Sequence, residues 1–255
     1  MRQTLLRTAM LLMATCLGVA SARAQEQPEW TARPLFSESG VYVLPRGRTA
    51  LVADLRPTRP TTGATVTDTA YRAEFGLPGR VQLGLHATGR TRSHEGAVGN
   101  IDAQALEVRW AFANWGRAWG NPAIQVGWTE ASRGPDMGEV KLLVGGDLAG
   151  AWQWGSNVAW TQEASAARSI DRAWTAGVSY AASRFASVGL ESRMAFVDSL
   201  AADGVSRTPF GRELLAGPSL QARPMKQLYM DVAVLFGATS TSSRSRAALV
   251  AGWQF

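Results

Sequence analysis

Cysteine is nearly absent from this chain: Cys16 is its only one, and it lies in the first two dozen residues. The rest of the chain therefore has no disulfide, no thiolate nucleophile and no thiolate metal site. Histidine is almost as scarce, with His86 and His94 alone. Two histidines at that spacing, without cysteine or clustered carboxylates, make a poor metal site, and no cofactor is expected. No charge run or basic stripe is present to track nucleic acid. Beyond the start of the chain, no stretch of some eighteen apolar residues exists, which excludes a helical membrane protein.

The start is different. Arg2 and Arg7 precede an apolar run from Ala9 to Ala20, followed by a small-x-small site at Ala22, Arg23 and Ala24. This is the pattern of a secretory signal peptide over residues 1–24, cleaved after Ala24. The run is too short for the roughly twenty residues of a spanning helix. Met13, Ala14 and Thr15 fit a lipid-attachment box at Cys16 poorly. Removing the leader takes away Arg2, Arg7 and Arg23 and no acid, so the formal charge falls from +6 to +3.

What fills the remainder is alternation. Counted back in twos from Phe255, Trp253 and Leu249 share one face, while Gln254 and Gly252 share the other. A strand ending on an aromatic looks like the closing strand of an outer-membrane β-barrel, which pairs with the first strand and carries an aromatic at the membrane interface. Period-two segments recur at 48–55, 69–77, 80–88, 101–112, 122–130, 139–145, 152–162, 172–181, 185–197, 213–223 and 227–236, with a last one ending at Phe255. Pro218 interrupts the tenth, where a missing ladder donor predicts a bulge or local distortion. Tight connections such as Pro78-Gly79 alternate with long polar ones such as 56–68, the rhythm of periplasmic turns and extracellular loops.

The expected fold class is therefore all-β: a single antiparallel transmembrane barrel of about twelve strands over 48–255, in the outer membrane of a Gram-negative bacterium. A soluble sandwich or lipocalin-like barrel would also alternate. Small polar-face residues (Gly84, Gly127, Ala159, Gly177) and aromatics near the strand ends favour apolar side chains outward. Residues 25–47, with Pro28, Pro34 and Pro45, are expected to be a non-strand segment, either periplasmic or a plug in the lumen.

Three segments carry a family resemblance. ARPLFSESGVYVLPRGRTALVADL (Ala32 to Leu55) resembles the opening phrase of outer-membrane transporter-like proteins of the MetA pathway of phenol degradation, including a Leu-Pro-x-Gly step into the first strand. EVKLLVGGDLAGAWQWGSNVAWTQE (Glu139 to Glu163) resembles that family's middle strands, and ELLAGPSLQARP (Glu213 to Pro224) its tenth. The resemblance implies a barrel and an uptake or export channel, and supplies no catalytic motif. Ala50 and Val52 stand where the family carries acidic residues.

With apolar residues outward, Arg72, Glu74, Gln82, His86, Glu107, Arg109, Gln125, Glu139, Lys141, Gln153, Asn157, Glu191, Arg193, Glu213, Gln221 and Asp231 face the lumen. Opposite charges fall two apart in Arg72/Glu74, Glu107/Arg109, Glu139/Lys141 and Glu191/Arg193. They fit either a pore whose charges select a solute or a cross-strand ion-pair lattice that packs the lumen. Trp110, Trp128, Trp152, Trp154, Trp160, Trp174, Trp253 and Phe255 read as interface girdles rather than stacking platforms. Trp115 and Trp119 are expected at the periplasmic headgroup level.

His86 is alone on its strand with no serine placed beside it, which argues against an outer-membrane hydrolase and against enzymatic activity in general. The sequence points to a passive channel for small solutes, hydrophobic or aromatic by family resemblance. A structural or adhesive barrel is the alternative, and a hydrolase a more distant one. Expected partners are outer-membrane lipid, a small-molecule solute and, through the last strand, the barrel-assembly machinery. Nucleic acid is not among them.

Overall fold

The computed structural model describes residues 35–92, 101–165, 168–200 and 207–255. The leader expected at 1–24, residues 25–34 and His94 lie outside the described residues.

Twelve strands follow one another: β1 (Thr49–Arg59), β2 (Val66–Leu77), β3 (Val81–Arg92), β4 (Ala103–Ala111), β5 (Ala123–Ala131), β6 (Met137–Asp147), β7 (Trp152–Glu163), β8 (Ile170–Ala181), β9 (Ala186–Leu200), β10 (Arg207–Met225), β11 (Leu228–Gly237) and β12 (Ser245–Gln254). Each pairs antiparallel with its neighbours, and β1 closes on β12. The closure is in register from Ala50 opposite Gln254 to Arg59 opposite Ser245, and the Phe255 amide donates to the Thr49 carbonyl at 2.8 Å. Closure leaves no edge strand, so every strand is paired on both sides.

The expected inversion of a soluble core holds. Val126, Leu190 and Val232 are exposed on the outer wall, with Leu190 at 63 %. Phe75 lies on the same outward face of β2 as the exposed Tyr71. Aromatics ring the wall twice. Trp110, Trp152, Tyr180 and Trp253 sit near the turn-side ends, and Trp128, Trp160, Trp174 and Phe196 lie nearer the loop side. From Trp152 to Trp160 along β7 is nine residues, about 26 Å at ~3.3 Å per residue, the shorter end of what a tilted strand uses to cross a hydrocarbon layer.

One sequence expectation needs correction. The strands are longer than the apolar alternation on the loop side: β1 runs to Arg59, β3 to Arg92, β9 to Leu200, and β10 begins at Arg207. Alternation is imposed by lipid on one face. Above the lipid both faces are polar, and the pairing continues without the signal. At Pro218 the expected bulge or local distortion takes the second form: the β10–β11 pairing skips Gly217 and Pro218 without a change of register. The β10–β11 register is the same at Ala216/Phe236 and Ser219/Ala233, and it shifts only between Ala222 and Met225. On the other side the β9–β10 register shifts between Pro209 and Gly211. Beside the proline, a Cβ on Gly217 would lie 2.0 Å from the Val234 carbonyl oxygen, so glycine lets the two backbones close over the missing donor.

Candidate functional site: the occupied lumen

The interior of the barrel holds a stretch of the chain itself. Residues 35–44 have no regular secondary structure, and all are buried except Glu38, which is half-buried. Irregular backbone at membrane depth is stable only when protein groups satisfy its amides and carbonyls. Four wall side chains do so. Glu191 accepts from the Phe36 amide (2.9 Å), the Ser37 amide (3.2 Å) and the Ser37 hydroxyl. Asn157 Nδ2 donates to the Ser39 carbonyl (2.7 Å). Arg109 Nη1 donates to the Tyr42 carbonyl (3.2 Å). Gln82 Oε1 accepts from the Leu44 amide (2.9 Å).

Apolar packing completes the seat. Leu44 clusters with Ala50, Val52, Tyr229 and Val250, and Val41, Tyr42 and Val43 cluster with Ala111, Ala123 and Leu143. Ala50 and Val52 thus serve as packing surface for the segment, where acidic side chains would have been buried against Leu44. Trp115 is not free for a headgroup position: from the β4–β5 connection it stacks on Tyr42, with ring centroids 4.3 Å apart. Trp119, by contrast, is 87 % exposed. Inward glycines make the space. A Cβ on Gly177 would meet Leu35 Cδ2 at 2.9 Å, and one on Gly76 would lie 2.0 Å from the Pro45 carbonyl oxygen, where the segment crosses β2 to enter β1.

The remaining inward residues form a polar lattice. Glu107 pairs with Arg109 (3.2 Å) and Glu139 with Lys141 (3.0 Å), as their spacing suggests. The other two spaced pairs are replaced. Arg193 reaches across to Glu213 (2.7 Å) and Asp171 (4.0 Å), leaving Glu191 to the segment, and Arg72 lies 3.5 Å from Asp54. Gln125 accepts from Arg109 and donates to Glu107, Gln221 donates to Asp231, and Glu74 is buried in the same wall. Gln153 sits at the turn-side rim against Asp147 (3.0 Å). His86 Nε2 lies 3.9 Å from Glu107 and makes no hydrogen bond. Among the described residues, no group of three or more His, Cys, Asp or Glu could hold a metal ion.

Toward the loop side the segment leaves a cavity of about 170 Å³. Glu38 reaches it from the segment, with Arg56 and Arg246 on the β1–β12 wall and Glu139, Lys141, Asp171 and Arg193 on the β6–β9 wall. The sequence reading missed Asp54, Arg56, Asp171 and Arg246. Each continues the inward parity of its strand (Val52, Ala173, Ala248), and that parity was the available signal. Glu38 had no such signal, since its segment has no periodicity.

No family model and no curated protein sequence matches the chain. Solved structures similar to it include an outer-membrane channel from Pseudomonas putida F1, at 11 % identity and a TM-score of 0.57, covering 86 % of this chain and 99 % of that one. The NanC porin matches at 12 % and 0.52, covering 81 % of this chain and 98 % of its own. The KdgM porin matches at 9 % and 0.51, covering 81 % and 99 %. At such identities the likeness is one of fold. The chain has the closed twelve-stranded antiparallel fold of outer-membrane barrels, with its own residues 35–44 seated in the lumen.

Proposed function

We propose that this protein is a passive outer-membrane channel for small solutes, held shut by residues 35–44. One observation carries the reading: the obstruction is a single irregular segment anchored by side chains. It belongs to no hydrogen-bonded ladder, so it can leave without opening the wall. A lumen meant only to be filled needs no such separable part, and wall side chains alone close a barrel of about eight strands. The fold it shares with an outer-membrane channel and two porins supports the same reading.

The outer membrane supplies the lipid that the exposed apolar wall requires. The assembly machinery of that membrane would receive the chain through β12, which ends beside Phe255. Affinity with the MetA-pathway type rests on the three quoted phrases and the channel role they imply. Of the charged wall residues, Glu191 and Arg109 bond the segment, whereas Glu139, Lys141 and Arg193 line the loop-side cavity, to which solute contact falls.

The test is single-channel recording of the refolded full-length protein beside a variant whose residues 35–44 are replaced by a glycine–serine stretch of equal length. Both are first checked for the heat-modifiable mobility of a folded barrel. Rare, small openings are expected from the wild type, and stable ohmic steps from the variant. A folded variant with no steps would leave the structural barrel as the better description.

A further inference from the structure

The charges around the loop-side cavity are arranged about one carboxylate that the lumen segment carries. Arg56 Nη1 is 3.2 Å from Glu38 Oε1. Lys141, Arg193 and Arg246 act electrostatically on the same carboxylate, and all four cations line the same 170 Å³. Three of them also have a carboxylate fixed to the wall: Asp54 at 2.8 Å from Arg56, Glu139 at 3.0 Å from Lys141, and Glu213 at 2.7 Å from Arg193. Arg246 has no ion pair among the described residues. Glu38 is thus the one anion of the cluster carried by the lumen segment, and its departure would leave the four cations with wall carboxylates alone, Asp171 and Glu213 being those that still act on Arg246.

We propose that the loop-side cavity is a binding site for a small monocarboxylate, and that Glu38 is its built-in competitor, occupying the place of the solute's carboxylate while the segment is seated. This rests on the channel reading and names the solute class for it. The chemistry favours a carboxylate over other solutes because one anion replaces another of the same shape. Arg56 Nη1 keeps a carboxylate acceptor, and the four cations keep an anion among them in the confined space. A neutral solute would leave the four cations without the charge that Glu38 supplied, and a cation would add to four like charges. A bound monocarboxylate would also take over the Arg56 contact that holds the segment at Glu38, which couples solute arrival to release of the obstruction.

Titration calorimetry on the full-length protein in detergent tests this, with benzoate as probe and the uncharged benzamide as its control in shape. Glu38→Gln, close in shape and uncharged, should bind benzoate about tenfold more tightly than wild type, the worth of one charge-assisted contact no longer competed for. Benzamide should not distinguish the two proteins. Glu38→Asp, which keeps the charge, should bind benzoate as wild type does, and adding Arg246→Gln to Glu38→Gln should abolish the gain. Equal benzoate affinities for wild type and Glu38→Gln would overturn the proposal, as would an equal gain for benzamide. Bilayer recordings on Glu38→Gln separate the two readings. Current without benzoate binding rejects the site and keeps the channel, whereas benzoate binding without current does the reverse.

Discussion

Glu191 is the strongest single anchor of the lumen segment, and replacing it with glutamine should release that segment in a measurable way. Its side chain is buried, and its two oxygens receive the Phe36 amide, the Ser37 amide and the Ser37 hydroxyl. Glutamine keeps one acceptor and turns the other oxygen into a donor. Whichever way the amide is oriented, at least one buried backbone N–H then faces an N–H. The remaining bonds lose the charge that strengthened them. A hydrogen bond to a charged group contributes about 1.5–3 kcal/mol, and an orphaned buried donor costs about 1–3 kcal/mol. The seated state should therefore lose about 2–4 kcal/mol, and the detached population should rise about 30- to 1,000-fold.

Cys16 lies in the expected leader, so a single cysteine placed at Ser39 reports on the segment alone. Its labelling by a polar maleimide should be slow on the wild-type background and at least tenfold faster with Glu191→Gln. Labelling within threefold of the parent, in a barrel that still shows heat-modifiable mobility, would refute the claim that this carboxylate holds the segment.

Two further outcomes follow from backbone geometry and from the outer face. Gly76→Ala puts a methyl group 2.0 Å from the Pro45 carbonyl oxygen, a backbone atom that cannot swing away, so the folded fraction on refolding should fall sharply. Gly138→Ala, whose methyl would meet only the Trp128 ring at 3.5 Å, should refold normally; equal yields would show that the crossing at β2 is not tight. On the outer wall, Leu142 is 53 % exposed at the middle of β6, and Leu142→Arg should cost about 2–4 kcal/mol of stability in lipid vesicles. A cost below about 0.5 kcal/mol would mean that this face does not meet hydrocarbon.

Most of the barrel was readable in the sequence, because lipid imposes its demand residue by residue. Leu106, Val108 and Trp110 had to face one way, and Glu107 and Arg109 the other, so strand number, facing and closure followed from period two. The same logic failed where lipid makes no demand. Thr58, Arg59 and Arg90 remain in paired strands, yet nothing apolar marks them. Ion-pair partners were legible only in part. Glu107 and Arg109 meet as neighbours on one strand, but Arg193 chooses Glu213 across the ladder, because Glu191 is drawn to the segment. Spacing along a strand cannot express that competition, since it depends on where an aperiodic stretch of chain lies.

That competition also decides how the inward polar residues should be understood. A ring of twelve strands encloses more space than its side chains fill. Here the wall widens it further, with glycine at 177 and 189 facing Leu35 and Phe36. The filler is therefore backbone, and backbone brings amides and carbonyls that hydrocarbon-depth protein cannot leave bare. Gln82, Arg109, Asn157 and Glu191 spend their hydrogen-bonding capacity on those groups, and Glu107 and Gln125 hold Arg109 in place to do so. Side chains committed in this way cannot also act as a selectivity filter while the segment is seated. The polar wall is a receptor for residues 35–44 first, and on the proposed channel reading it would line a pore only for as long as those residues were elsewhere.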